Sequence, residues 1–576
     1  MELISLTIDG ITVQVPEDAT VLEAAQTADI AIPTLCHFPG IESFGLCRVC
    51  VVEVEGYAKL LPACVVKVKA GMVVKTQTPQ IIQARRMSVE MLIAQHPMQC
   101  LTCYRNGKCQ LQDLAQHYGI QQARFTRRDA SLPIDHKSPA ITHDPNMCIL
   151  CGLCIRACRN IQAVDVIDFA YRSDKRRIEP AFGQSLSDVE CITCGQCIQV
   201  CPVNSFYETR ELPVVQAALQ DPEKHVVAIV SPVAGVSIGE EFGLDVGMSF
   251  HQQLTSALKE IGFARVFDAG VGVDIALLEE SYQLLTRVKS QKRLPMFSSS
   301  SPAWVKYIEH FYPERLSLLS TCKSPVQALA ALVKTYYAQQ QQIEPEQIFT
   351  VSITPCSAEK FERTRSEMIV NGCVAIDACL TTKETASLLQ GMTGDLLLSI
   401  PPQPYDPPFD EASGAGMLFG AAGGMLEGVM RTFYELFTER KLKSPEFPAM
   451  RKPEGWKEIA LKVGEETLNI AIVNGTGNVK ALMEKLAQGQ KQYHYIEIKG
   501  CPDGCARGGG QPLPCAQETI HARSRALYEL DAEKSTRKAH ENPCIKAIYE
   551  HFLKKPAGPE SKKLLHTTFT QRERYL

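Results

Sequence analysis

Residues 147–158 read MCILCGLCIRAC and residues 191–202 read CITCGQCIQVCP, one cysteine pattern written twice in the same chain. In each copy a Cys-x-x-Cys-x-x-Cys run is followed, after three intervening residues, by a fourth cysteine. The first copy supplies Cys148, Cys151, Cys154 and Cys158, and the second Cys191, Cys194, Cys197 and Cys201. Such close spacing brings thiolates together on an iron–sulfur cluster and is poorly suited to structural disulfides. The opening stretch MELISLTIDGITVQVPEDAT lacks a basic segment leading into an apolar one, and no apolar run reaches the length of a membrane span. The expectation is therefore a reducing, cytoplasmic setting, which also disfavours disulfides for the 23 cysteines of the chain.

In two-cluster ferredoxins the fourth cysteine of each run ligates the other cluster. This assigns Cys148, Cys151, Cys154 and Cys201 to one [4Fe–4S] cluster, and Cys191, Cys194, Cys197 and Cys158 to its twin. Toward the N-terminus, AQHPMQCLTCYRNGKCQLQDLA offers His96, Cys100, Cys103 and Cys109 at the end of a helical segment, QIIQARRMSVEMLIAQ. One imidazole and three thiolates suit either Zn²⁺ or a [4Fe–4S] cluster. Further upstream, Cys36, Cys47, Cys50 and Cys64 make a set for one [2Fe–2S] cluster, with zinc again the rival. Alternating strands surround that set (ISLTIDGITVQV, VVEVEG), and the region resembles the β-grasp ferredoxin domain that opens respiratory complex I-type and hydrogenase chains. The His/Cys3 spacing is similar to the His-ligated [4Fe–4S] module of those families, which favours iron there.

The 576 residues suffice for several domains, and 45% hydrophobic with 22% charged residues is ordinary for a globular protein. A formal net charge of −4 gives no broad basic field, so nucleic-acid binding has no support and protein partners are expected. After residue 210 the cysteines thin out, and apolar strands alternate with helices in an α/β manner: VVAIVSPVAGVS, FTVSITPCSAEKFE, LNIAIVNG, YHYIEIKG. The glycine-rich SGAGMLFGAAGGMLE reads as a helix-packing segment. Cys322, Cys373, Cys379, Cys515 and Cys544 share no ligand spacing and read as buried free thiols. The tail PCIKAIYEHFLKKPAGPESKKLLHTTFTQRERYL reads as a helix followed by an extended belt on the domain surface.

SSSSPAW (298–304), TPCSAEKFE (354–362), EIKGCPDGCARGGGQP (497–512) and LLHTTF (564–569) together resemble the catalytic-subunit motifs of [FeFe]-hydrogenases, in the long form with four accessory clusters. The resemblance implies an H-cluster site: Cys356, Cys501 and Cys505 match three cubane ligands, Cys505 at the position bridging to a two-iron unit. The fourth ligand position is Ser301. Ser300 stands where that family has its proton-donating cysteine, and Glu359 where it has a lysine that contacts cyanide. Thr354 and Lys499 replace two methionines, and Ser231 an alanine. Along the family's proton route Glu280, Ser320 and Arg287 match, but Gln283 takes the place of a glutamate, and an amide cannot relay a proton by changing its protonation.

The expected architecture is multidomain α+β and α/β. It comprises a β-grasp [2Fe–2S] domain (1–78), a His/Cys3 [4Fe–4S] module (79–125), a two-cluster ferredoxin domain (126–209), a hydrogenase-like α/β domain (210–540) and a C-terminal helix and belt (541–576). The expected cofactors are one [2Fe–2S] and three [4Fe–4S] clusters. A further [4Fe–4S] at Cys356, Cys501 and Cys505 is left open, and no two-iron unit is expected. No catalytic residue is expected to operate. The chain is similar to hydrogenase-like subunits of electron-bifurcating complexes in anaerobic acetogens. That similarity implies an electron-transfer and scaffold subunit of an NAD(H)/ferredoxin oxidoreductase without H₂ chemistry, partnered by a flavin-bearing NADH-oxidising subunit, by ferredoxin, and by a second redox enzyme such as a formate dehydrogenase. The alternatives are an active or sensory [FeFe]-hydrogenase with a serine ligand, and a subunit of a bifurcating transhydrogenase.

Overall fold

Strands β1 (Leu3–Ile8) and β2 (Ile11–Pro16) pair antiparallel around an Asp9-Gly10 turn. Both turn residues have positive φ, the geometry that matches the twist of a tight hairpin. The alternation of the sequence points Leu6, Ile8, Val13 and Val15 inward. With β3 (Val51–Val54), β4 (Leu61–Pro62) and β5 (Val73–Lys75) they form one sheet in the order β2-β1-β5-β3-β4. A helix at Pro79–Gln95 comes next, started by Thr78, whose hydroxyl accepts from the Ile81 amide, and by Pro79 in its first turn. The computed structural model describes residues 3–125, 131–394, 396–452, 454–489 and 491–573. The expected boundary near residue 126 and the last residues of the belt lie outside the described residues.

The repeated cysteine runs fold as near-duplicates. Each ends in a short helix, Leu153–Arg156 and Gln196–Gln199, entered through a left-handed glycine, Gly152 and Gly195, both at φ 70°. β6 (Ile141–His143) pairs antiparallel with β9 (Phe206–Glu208), closing this unit. The hairpin β7 (Asp168–Ala170) with β8 (Arg177–Glu179) lies between the two runs.

Two four-stranded sheets form the second half. The first joins β10 (His225–Val230), β11 (Arg265–Asp268), β13 (Ile348–Thr354) and β16 (Ala378–Thr381) in the order β11-β10-β13-β16, all parallel. The second joins β12 (Met296–Phe297), β17 (Trp456–Val463), β18 (Glu466–Asn474) and β19 (Tyr495–Lys499) in the order β12-β19-β18-β17. Only β17 is antiparallel there. The short hairpin β14 (Ile369–Val370) with β15 (Cys373–Val374) stands apart. Strands buried on both faces read as continuous apolar runs, as HVVAIV does in β10.

A long helix, Ala269–Ser290, crosses between the sheets. Its close neighbours depend on small residues. A Cβ at Gly272 would meet the Pro325 carbonyl at 2.3 Å, and one at Gly428 would meet Leu277 Cδ1 at 2.6 Å. Within the glycine-rich segment a Cβ at Gly416 would meet the Gly270 carbonyl at 2.6 Å, so that segment serves helix packing, as its sequence suggests.

The tail departs from the expected surface belt. Helices Pro543–Ile548 and Pro559–Leu565 place Ile545, Ile548, Leu553 and Leu565 in the same core as Phe267, Val271 and Leu329. Apolar spacing in KAIYEHFL buries one face of the tail, and the Thr567 N–H donates to the Thr321 carbonyl (2.7 Å), anchoring the chain beyond the last helix. Cys322, Cys379 and Cys515 are buried as expected, whereas Cys373 and Cys544 are only half-buried. Among the described residues no helix is long and apolar enough to cross a membrane.

Candidate metal centres

The β3–β4 sheet edge and the loop before it bring Cys36, Cys47, Cys50 and Cys64 together. Cys50 Sγ lies 3.4 Å from Cys64 Sγ, and the Cys47 amide donates to Cys36 Sγ at 3.4 Å. Hydrogen bonds from Cys47 and Cys64 hold the Cys36 thiol below its ordinary value and Cys64 holds Cys50 below its own, while the same bonds raise Cys47 and Cys64. Four sulfurs sharing protons in this way fit a set of metal-bound thiolates, since a bound cation replaces the protons outright.

His96 caps the C-terminus of helix Pro79–Gln95, and a 3₁₀ turn carries Cys100 on to Cys103. Cys109 is the N-cap of helix Gln110–His117, where the helix dipole favours a thiolate. Burial first, with a smaller push from Cys103, raises the Cys109 thiol. The module leans on the second cysteine run: Arg105 donates to the Ile198 carbonyl at 3.2 Å, and Cys109 Sγ approaches the Pro202 carbonyl at 3.9 Å.

The fourth cysteine of each run lies within electrostatic reach of the other run: Cys148 and Cys151 feel Cys201, and Cys158 feels Cys191 and Cys194. Burial raises the Cys154 thiol well above its ordinary value, and the neighbours that push it further are Cys151, Cys148, Cys201 and Cys197. For Cys197 the neighbours after burial are Cys194, Cys191, Cys158 and Cys201. Cys148 and Cys158 are both pushed by burial up to about 12. Cys148, Cys158, Cys194 and Cys197 are only partly covered, whereas Cys151, Cys154, Cys191 and Cys201 are buried.

Neighbouring groups adjoin. Cys36 is among the charges felt by Cys151, and the buried Arg156 guanidinium donates to the carbonyls of Cys36 (3.1 Å) and Cys151 (3.0 Å). On the far side Cys194 is the leading charge felt by Cys501 after burial. Three glutamines rivet that junction. Gln162 donates to the Gly500 carbonyl at 2.9 Å, Gln196 to that of Arg507 at 3.0 Å and Gln199 to that of Gly508 at 2.9 Å. Gly195 permits the contact, because a Cβ there would lie 2.7 Å from Gly509 Cα. The ligand groups therefore form a forked line, with two N-terminal arms meeting at the duplicated runs and one path leading to Cys501.

That path ends at the carboxyl ends of β12, β13 and β19, where ligands commonly lie in α/β sheets. Cys356 comes just after β13, and Cys501 and Cys505 just after β19; Cys356 feels the charge of Cys501 and Cys505, Cys501 that of Cys505, and burial raises all three thiols. The four serines after β12 have separate fates. Ser298 Oγ accepts from the Ile498 amide (3.0 Å), tying β12 to β19, and Ser299 Oγ donates to the Cys322 carbonyl (2.6 Å). Ser301 Oγ accepts from the Gly500 amide (3.0 Å), beside Cys501. Ser300 Oγ is buried without a hydrogen-bond partner. Burial pushes the Glu359 carboxyl up to about 7 while it accepts from Ser352 Oγ at 2.9 Å. The adjacent Lys360 turns away to Glu384, 2.8 Å distant.

The residues aligned with a proton route are close together but differently engaged. Burial pushes Glu280 up to about 6, and it accepts from the Tyr495 hydroxyl and from the Ser299 amide (3.4 Å). Ser320 is fully buried, its hydroxyl accepting from the Cys322 amide at 3.2 Å. Gln283 is locked on Thr321 through both amide atoms, at 2.6 and 3.1 Å. Arg287 donates to the carbonyls of Leu318 (2.8 Å), Leu319 (2.7 Å) and Arg293 (3.1 Å), and so holds backbone in place. Sequence reasoning missed Tyr495 and the tail's His566, which joins Thr321 Oγ1 (2.7 Å) to the buried Glu279 (2.9 Å). It also missed the riveting glutamines, for which the repeated Gln flanking Cys197 in QCIQ was the available signal.

Fold and site together define a modular iron–sulfur redox protein with [2Fe–2S] and [4Fe–4S] cluster domains. Family models match the C-terminal domain of an iron-only hydrogenase large subunit over residues 224–509 and a 2Fe-2S iron-sulfur cluster binding domain over 1–79. They also match an NADH-ubiquinone oxidoreductase-G iron-sulfur binding region over 85–124, a 4Fe-4S dicluster domain over 147–205, and an iron hydrogenase small subunit over 517–572. The chain is 38% identical to the NADP-reducing hydrogenase subunit HndD of Solidesulfovibrio fructosivorans over 100% of both chains. It is 32% identical to iron hydrogenase 1 of Clostridium pasteurianum over 98% of this chain and 99% of that one. A solved apo [FeFe]-hydrogenase HydA1 from Chlamydomonas reinhardtii, in a cysteine-to-histidine variant, superposes with a TM-score of 0.55 at 34% identity, covering 62% of this chain and 98% of that one. The chain belongs to the iron-only hydrogenase large-subunit family.

Proposed function

We propose that this chain is a cytoplasmic electron-transfer and scaffold subunit of a multi-subunit, electron-bifurcating NAD(H)/ferredoxin oxidoreductase of the hydrogenase type, in which H₂ chemistry has been lost. Its modules run 1–78, 79–125, 126–209, 210–540 and 541–576. One [2Fe–2S] cluster is held by Cys36, Cys47, Cys50 and Cys64. Three [4Fe–4S] clusters are held by the His96 set and by the two interleaved sets of the duplicated runs. Clusters in these sets supply one-electron transfer. The protein's part is to hold the sets in adjoining order, to exclude water by burial, and to clamp the modules together with Arg156, Gln162, Gln196 and Gln199.

One observation carries the reading: an intact forked line of ligand groups ends at a site whose residues do not fit a two-iron unit. Ser300 Oγ offers a far weaker acid than a thiol, Glu359 brings an acceptor to the place of a cationic donor, and Lys499 brings a buried cation to the place of a packing methionine. The name borne by HndD supports membership of an NADP-linked complex. The flavin-bearing partner, ferredoxin and a second enzyme such as a formate dehydrogenase are proposed on the resemblance alone. A second reading, an active or sensory hydrogenase, draws on Ser301, whose hydroxyl lies beside Cys501 where a hard oxygen ligand could reach iron.

Two measurements test the proposal. Protein produced with H-cluster maturation machinery is expected to show no infrared bands of CO or CN⁻, and their presence refutes the loss of the two-iron unit. The double variant Cys154→Ala, Cys197→Ala is expected to stop electron exchange between partner enzymes while each partner still reduces an artificial dye. Undiminished exchange refutes the wiring role.

A further inference from the structure

Lys499 is the last residue of β19, two positions before Cys501. It is 1% exposed, and its ammonium has no hydrogen-bond partner. Its Nζ lies over the Phe419 ring, 3.6 Å from the centroid. Phe419 sits in the turn Leu418–Gly420, against which the cysteine loop packs: a Cβ at Gly504 would meet the Gly420 carbonyl at 3.0 Å. Glu497 lies on the same strand face, but its carboxylate oxygens accept from the amides of Gly423 (3.2 Å) and Leu426 (2.6 Å). A ring face compensates a buried ammonium only partly, and an unpaired interior charge is costly unless an anion faces it. The charged neighbours within its electrostatic reach are Glu497 and Cys505.

We propose that Lys499 is the counter-cation of a [4Fe–4S] cluster held by Cys356, Cys501 and Cys505, and that it raises the reduction potential at this position, making it the electron-accepting end of the line. The inference rests on the reading that the site holds a cubane without a two-iron unit. The donor set fits such a cluster: Cys356 lies near enough to Cys501 and Cys505 to feel both charges, all three are sulfur ligands, and Ser301 Oγ stands beside Cys501 on the Gly500 amide. An extra electron adds negative charge, so a fixed cation nearby favours the reduced state. Lys499 acts through Coulomb attraction and need not ligate iron.

The test is an anaerobic redox titration of the full chain, monitored by electron paramagnetic resonance. One [4Fe–4S] signal should vanish in Cys356→Ala, which marks it as belonging to this site. In Lys499→Met and in Lys499→Gln that signal should remain, with its midpoint lowered by about 59 mV or more, a tenfold change in the ratio of reduced to oxidised cluster for one electron. Lys499→Arg should keep the midpoint near that of the parent, as should the surface control Lys462→Met. Two outcomes overturn the proposal: no signal that depends on Cys356, or an unchanged midpoint in both neutral variants. Neither outcome touches the wiring role, which the Cys154, Cys197 variant tests separately, and CO or CN⁻ bands would instead refute the reading on which the inference rests.

Discussion

Gly195→Ala is expected to loosen the junction between the duplicated cysteine runs and the hydrogenase-like domain, and the cost can be worked from two matched positions. Gly152 and Gly195 both enter a short helix at φ 70°, so each alanine variant bears the same left-handed strain, roughly 1–2 kcal/mol. Their surroundings differ. A Cβ at Gly152 would meet the half-buried Phe169 ring at 3.1 Å, and a ring can tilt away. At Gly195 the Cβ would lie 2.5 Å from Ser357 Oγ and 2.7 Å from Gly509 Cα, and backbone cannot swing aside. Overpacking of that kind adds roughly 1–3 kcal/mol. The excess falls on the loop that Gln199 and Ser357 hold to the runs, where the Gly510 amide bonds to the Pro355 carbonyl at 2.9 Å. Hydrogen exchange read by mass spectrometry over residues 505–511 should therefore quicken by roughly fivefold to a hundredfold in Gly195→Ala and change little in Gly152→Ala. Equal effects of the two variants on that segment would refute the claim that Gly195 is there for the junction.

Other parts of the fold yield two more expected outcomes. Ser301→Cys alone should not restore H₂ evolution, because Ser300, Glu359 and Gln283 remain; gas chromatography showing robust H₂ from this single change would count against the proposed loss. Burial, with Glu359 adding to it, pushes the Glu362 carboxyl up to about 8. A carboxyl raised in the folded state binds its proton more tightly there, so its favourable contribution is complete below about pH 4.5 and is lost as pH rises through 8. Glu362→Gln keeps an acceptor for the Ser324 hydroxyl (2.8 Å in the parent) and removes that dependence. Its melting temperature should exceed the parent's at pH 8.5, with the gap shrinking toward pH 6; a gap that widens at pH 6 contradicts the assignment.

Much of this protein was legible along the chain. Short-range spacing fixes which cysteines can share a cluster, because a few bonds of backbone limit where their sulfurs can go, and the duplicated runs, the Asp9-Gly10 hairpin and the apolar strand β10 all arise from local pattern. The substitutions Ser300, Ser301 and Glu359 are likewise visible as letters once the surrounding motifs identify the site.

Tertiary structure decided what those letters touch. The glutamine rivets and the burial of His566 against Glu279 join residues far apart in the chain, and no local period encodes such contacts. Lys499 shows the division most clearly. The sequence presents it as one altered packing residue, whereas the structure puts its ammonium in the interior, against Phe419 and near Cys505. A charge has little consequence until its surroundings are known, because desolvation and the nearest counter-charge set its energy, and both depend on where strands from different parts of the chain meet.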